Sequence, residues 1–302
     1  MKLISFFICL LFSISDSFSQ LHLENKTFTY DELIENYSNL DNQYPEARLV
    51  KFGQSDIGKP LHVFILSKEG ASSNSEINDQ NKSIILINNG IHAGEACGIN
   101  ASYELAKKLL SDRNELNRIL DKTIILIIPI YNVGGMLYRN SFTRANQNGP
   151  ESYGFRGNAK NLDLNRDFIK CDSKNALSFN QLFSAWDPDI FIDTHTTNGS
   201  DHQYTFTLIA SQKDKLNPII SDFMYAEMVP SLFSSMKQKN MEITPYIYSM
   251  ENSPDNGIKA FLETARYSSG YASLFDCFSF ISEAHVYKSF KDRVIQTQEF
   301  LK

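Results

Sequence analysis

The sequence predicts a three-layer α/β/α sandwich with a largely parallel, mixed central sheet. Three observations carry this. Short apolar runs, SIILIN at 83–88, TIILIIP at 123–129 and DIFIDT at 189–194, read as strands buried on both faces. Stretches with helical periodicity or capping signals lie between them, the alternation expected of a sheet covered on both sides. No internal repeat and no linker divides the chain, so residues 20–302 read as a single domain.

Each element has a local reason. Thr29-Tyr30-Asp31-Glu32 is a capping box that opens an amphipathic helix to about Tyr44. Val50–Gln54 and Leu61–Leu66 read as strands around a turn at Asp56-Ile57-Gly58, and 69–82 is a polar loop rich in Ser and Asn. One helix is expected from about Glu95 to Asp112, after the first buried strand. Residues 132–160 are polar and lack periodicity; a connection of that length is usually functional. A helix over 174–186 leads to the strand at 189–194. A strand at 204–209, a helix around 217–237, a buried strand at 278–282 and a last helix capped by Ser289 complete the domain.

Composition bounds the function. The 302 residues are 42% hydrophobic and 21% charged, the balance of a globular chain. The net charge is −6 with no basic block, which argues against a nucleic-acid partner. Residues 1–19 read as a secretory signal peptide: Lys2, an apolar stretch from Ile4 to Ile14, and small residues at Ser17 and Ser19 before the cut. The mature chain is then expected to be secreted or periplasmic, with no stable membrane anchor. Cleavage leaves Cys97, Cys171 and Cys277, an odd number without a CxxC, so a disulfide framework is not expected.

The chemistry gathers where the strands end. GIHAGEACG follows SIILIN and sets His92 three residues before Glu95; His195 follows DIFIDT. Two histidines and one carboxylate supply three ligands to zinc and leave a fourth position for water, the pattern of a catalytic site. Glu283 ends the strand of FSFISEAH, Asp163, Asn165 and Arg166 stand together in NLDLNRDF, and Arg144 lies in the long loop. HExxH and GxSxG are both absent, which sets aside the thermolysin-type and serine-hydrolase plans.

In this order of motifs, from about Thr29 to Leu301, the chain resembles the zinc carboxypeptidases, the funnel-shaped metallocarboxypeptidases. The resemblance implies one zinc ion held by His92, Glu95 and His195, with Asp163 orienting His92. It implies Glu283 as the general base, Asn165 and Arg166 as the clamp on a substrate's free C-terminal carboxylate, and an electrophilic arginine. The family's Asn-Pro-Asp-Gly turn reads Asn132-Val133-Gly134-Gly135 here, and Arg144 in TRANQNG matches the arginine that follows it. Arg139 and Arg156 share that loop and stay open as alternatives for the electrophilic role, a solvated loop charge being the favoured reading of each. Tyr267 and Tyr271 are both candidates for the family's substrate-binding tyrosine. His285, two residues past Glu283, is a candidate support for it, and His202 reads as a surface residue. Asp193 either shares the face of His195 or caps the strand end.

The expected activity is hydrolysis of a C-terminal peptide bond by zinc-bound water. Two other readings fit parts of the pattern. Aspartoacylase-like zinc deacylases of N-acyl amino acids also carry HxxE, Asp-Leu-Asn-Arg and a DxHTT-like run. A non-catalytic peptide- or glycan-binding protein on the same fold would be expected to lack a ligand or the base.

Overall fold

The computed structural model describes residues 20–79 and 81–302. The expected signal peptide lies outside them. In chain order the elements are α1 Tyr30–Gln43, β1 Ala47–Gln54, β2 Pro60–Leu66, β3 Ser83–Asn89, α2 Cys97–Ser111, α3 Arg113–Leu120, β4 Thr123–Ile128 and α4 Val133–Leu137. There follow α5 Lys174–Trp186, β5 Ile190–Thr196, β6 Phe206–Ala210, α6 Pro218–Phe223, α7 Val229–Gln238, β7 Thr244–Pro245, β8 Ile247–Ser249, β9 Ile258–Ala260, α8 Ser268–Ala272, β10 Phe278–Ala284 and α9 Phe290–Leu301.

Eight strands form one sheet in the order β1-β2-β4-β3-β5-β10-β6-β7. Four of its seven joins are parallel, and β4, β3, β5 and β10 form a wholly parallel centre. Alternation along the strands divides the core. Ile87, Ile125 and Ile127 face one layer with Leu33 and Tyr37 of α1, Ile99 and Leu105 of α2 and Val294 of α9. Ile84, Leu86, Ile124, Leu126 and Phe191 face the other with Phe179, Phe183 and Trp186 of α5. A third cluster, around Phe206, Phe280 and Met236, seals the far edge.

The local signals act as expected in several places. Glu32 N donates to Thr29 Oγ1 and Thr29 N donates to Glu32 at 2.8 Å, which closes the capping box. Asp292 N donates to Ser289 Oγ at 3.1 Å at the start of α9. Other elements depart from expectation. The helix after β3 stops at Ser111, and Asp112 caps a separate helix, α3, through Glu115 N. Strand β5 runs on to Thr196, so His195 lies within it. The long loop holds the single turn of α4, and residues 244–260 form strands where none was expected. Cys97, Cys171 and Cys277 are all free.

One contact sets the spacing of the site. Gly98, in the first turn of α2, abuts β5 so closely that a Cβ there would lie 1.9 Å from Thr194 Oγ1. Only glycine admits this approach of helix to sheet.

Candidate active site

The sheet register builds the site. β5 and β10 run parallel with His195 beside Glu283, so these two side chains share a face at the carboxyl ends of the strands. Asp193 and Ile281 lie two residues back on the same face. β3, the neighbour on the other side, turns at Gly90 (φ +68°) into the tight turn where Glu95 N donates to His92 O at 2.9 Å. That turn projects His92 and Glu95 toward His195. Asp163, Asn165 and Arg166 come from one 3₁₀ turn, capped by Asp163 accepting from Asn165 N.

His92 Nδ1 lies 3.0 Å from Glu95 Oε1, and His195 Nδ1 lies 2.8 Å from Glu95 Oε2. All three residues are buried, and one donor atom from each falls within 4.8 Å of the others. The far side of each ring meets a carboxylate: His92 Nε2 is 3.1 Å from Asp163 Oδ1, and His195 Nε2 is 2.7 Å from Asp193 Oδ2. An Nε2–H donated to a carboxylate leaves the Nδ1 lone pair free, as a metal ligand requires. The donor set therefore fits a single zinc ion.

Charge follows this geometry. Burial would raise the Glu95 carboxyl, but His92, Arg144 and the hydrogen bonds from both imidazoles hold it well below the usual carboxylate range. Burial would lower His195, but Asp193 and Glu95 hold it well above the ordinary value. Burial of Asp163 is likewise outweighed by His92, Arg156 and Arg166, which lower it. Glu283 is pushed up to about 8, mainly by burial and further by the nearby Glu95 charge, against the lowering pull of His195. Its Oε2 is buried without a hydrogen-bond partner.

His92, Glu95, Asn165, Arg166, His195, Tyr267 and Glu283 line one pocket of about 50 Å³. Asn165 Nδ2 approaches His195 Nε2 at 3.4 Å, and Asn165 Oδ1 accepts from Ser268 N at 3.0 Å. Arg166 lies 4.3 Å above the Tyr267 ring.

Several assignments change. Tyr271 is not in the pocket; it is buried against Phe168, Phe179, Phe183 and Phe275, because α8 turns it into the core layer under α5. Arg144 does not line this pocket. It sits behind Glu95, with Nη1 donating to Glu95 Oε1 at 2.8 Å, and lines the adjoining cleft instead. Arg156, expected as a solvated charge, lines the pocket, with Nη2 2.9 Å from Asp163 Oδ2 and Nη1 3.3 Å from His92 Nδ1. Arg139 ties the loop down through the carbonyls of Phe28, Thr27 and Ser152. His285 does not reach Glu283; its ring packs 4.1 Å from that of His202, which is half-buried and not a free surface group.

The sequence reading also passed over Tyr246, Tyr248 and Phe261, which wall the pocket beside Ile209 and Ile281. The strands beside them are too short for a pattern in the sequence to single them out. Asp193 proves to be the partner of His195, as its spacing of two on a strand allowed.

Comparison with known proteins gives the family and the fold. The profile of the zinc carboxypeptidase family matches residues 33–273. Carboxypeptidase 2 of Trichophyton rubrum is 26% identical over 221 residues, 71% of this chain and 34% of that protein. Carboxypeptidase B of Helicoverpa zea is 31% identical over 147 residues, 45% of this chain and 31% of that one. The chain thus spans about a third of the length of the curated relatives it matches. Among solved structures, a metallo-carboxypeptidase from Burkholderia cenocepacia superposes with a TM-score of 0.66 at 16% identity, over 91% of this chain and 68% of that one. Carboxypeptidase A of Helicoverpa armigera gives 0.65 at 15% identity, over 92% and 72%. These two likenesses speak to the fold.

Proposed function

The chain belongs to the zinc carboxypeptidase family, and on that premise we propose that it removes C-terminal residues from peptides as a zinc-dependent hydrolase. The observation that carries this reading is the placing of Glu283, buried and unpartnered at Oε2, beside His195 on the sheet and in one pocket with the His92–Glu95–His195 donor set. No helix among the described residues is long and apolar enough to cross a membrane. With a signal peptide at 1–19, the proposed place of action is outside the cytoplasm.

Zinc held by His92 Nδ1, Glu95 and His195 Nδ1 would supply Lewis acidity and a water of lowered pKa. Asp163 and Asp193 hold the two imidazoles in the ligating tautomer. Glu283 takes a proton from the water attacking the scissile carbonyl and returns it to the leaving amine. Arg156, at the pocket wall, donates to the carbonyl oxygen as charge develops there. Asn165 and Arg166 receive the terminal carboxylate, the planar guanidinium matching both of its oxygens. An adjoining cleft of about 410 Å³, reached past Arg156 and Asn198, has room for the preceding residues of the peptide.

The test is zinc content together with hydrolysis of three substrates: a peptide with a free C-terminus, its C-terminal amide and an N-acyl amino acid. The expected result is about one zinc per chain, lost in His195→Ala, with release of the terminal residue from the free acid alone. Glu283→Gln should keep the zinc and lose roughly 10²- to 10⁴-fold in kcat. Failure to bind zinc, or cleavage of the N-acyl amino acid alone, overturns the reading.

A further inference from the structure

We propose that Arg144 is a positioning residue that fixes the carboxylate of Glu95 between the two imidazoles, and so sets the affinity of the site for its metal. This rests on the zinc reading above. Arg144 is largely buried and its guanidinium reaches three acceptors at once. Nη1 donates to Glu95 Oε1 at 2.8 Å, Nε to Gln147 Oε1 at 2.7 Å, and Nη2 approaches Thr196 O at 3.4 Å.

The carboxylate is held from both ends. Thr196 N donates to Glu95 Oε2 at 3.0 Å while Arg144 holds Oε1. With both oxygens restrained, Oε1 stays on the His92 side and Oε2 on the His195 side. A second observation is the close packing of the turn against this segment. A Cβ on residue 94 would lie 2.7 Å from Gly154 O and 2.8 Å from Arg144 Cδ, so the absence of a side chain there leaves room for both. Gln147, which steadies the guanidinium, also donates from Nε2 to Gly94 O at 3.0 Å. The 144–147 segment is thereby clasped to the turn that carries Glu95.

The planar fork explains why arginine is needed. A lysine ammonium could meet Glu95 but could not also hold Gln147 and Thr196 in one fixed geometry. Partners that orient metal ligands are worth roughly 10- to 100-fold in metal affinity.

The experiment measures zinc affinity of the full-length protein by competition with a chromogenic chelator. Arg144→Gln is expected to bind zinc roughly 10- to 100-fold more weakly. Arg144→Lys should recover part of that loss. Tyr248→Phe, a change at the pocket wall, should leave zinc affinity near wild type. A folded Arg144→Gln protein with wild-type zinc affinity overturns the proposal. Where Arg144→Gln does not fold, Gln147→Ala takes its place: a several-fold weaker affinity supports the proposal, and no change overturns it. Wild-type protein that binds no zinc at all would instead remove the reading on which the proposal rests.

Discussion

Each imidazole of the site leans on a carboxylate, but the two carboxylates stand in different surroundings. Asp193 is fully buried and shared among His195, Ser268 Oγ and Asn88 Nδ2. Asp163 has a side chain 28% exposed and is shared among His92, Arg156 and the more distant Arg166. The first pair belongs to the core of the sheet. The second belongs to the wall where substrate is proposed to bind. The same chemical device therefore answers to the fold on one side and to the ligand on the other.

The contrast can be broken by mutation. Asp193→Ala strips a buried network of its acceptor and leaves His195, Ser268 and Asn88 short of a partner. It should cost about 3 kcal/mol of stability as well as metal affinity, measured by denaturant unfolding with a chelator present. Asp163→Ala should lower zinc affinity by roughly 10- to 100-fold but cost about 1 kcal/mol or less in stability, because water reaches its place. Equal stability losses in the two variants would erase the distinction.

Glu283 sharpens the contrast by pH, since it lies on the buried side. Its folded pKa of about 8 stands above the ordinary 4.5, so between these values the folded state keeps a proton that the unfolded state has released. The stability of the metal-free protein should therefore fall as pH rises through that window. Glu283→Gln should flatten this slope in thermal melts taken from pH 5 to pH 8. An unchanged slope would mean that the carboxylate is better solvated than its burial implies.

Much of this was legible in the sequence, for physical reasons that differ by residue. SIILIN and TIILII announce themselves because strands buried on both faces must be apolar throughout. His92, Glu95 and Glu283 stand out because polar groups at the ends of such strands need a purpose. The arginines were harder. Arg139, Arg144 and Arg156 share one loop, and what each meets depends on segments far away in the chain: the backbone at Thr27 and Phe28, the turn at Glu95, and Asp163. Tyr267 and Tyr271 lie one helical turn apart, and only the packing of α8 sends one to the pocket and the other to the core. The strands at 244–260 are two or three residues long, too short for alternation to show.

Gly98 has a consequence beyond its own fit. Glu95 enters from the start of α2 and His195 from β5, and these two elements touch where residue 98 has no side chain. The gap between two of the three ligands thus includes a helix-to-sheet clearance. A methyl group at residue 98 would act as a spacer, widening the cage without altering any donor. A substitution about one helical turn from the nearest ligand would thereby move the two halves of the cage apart.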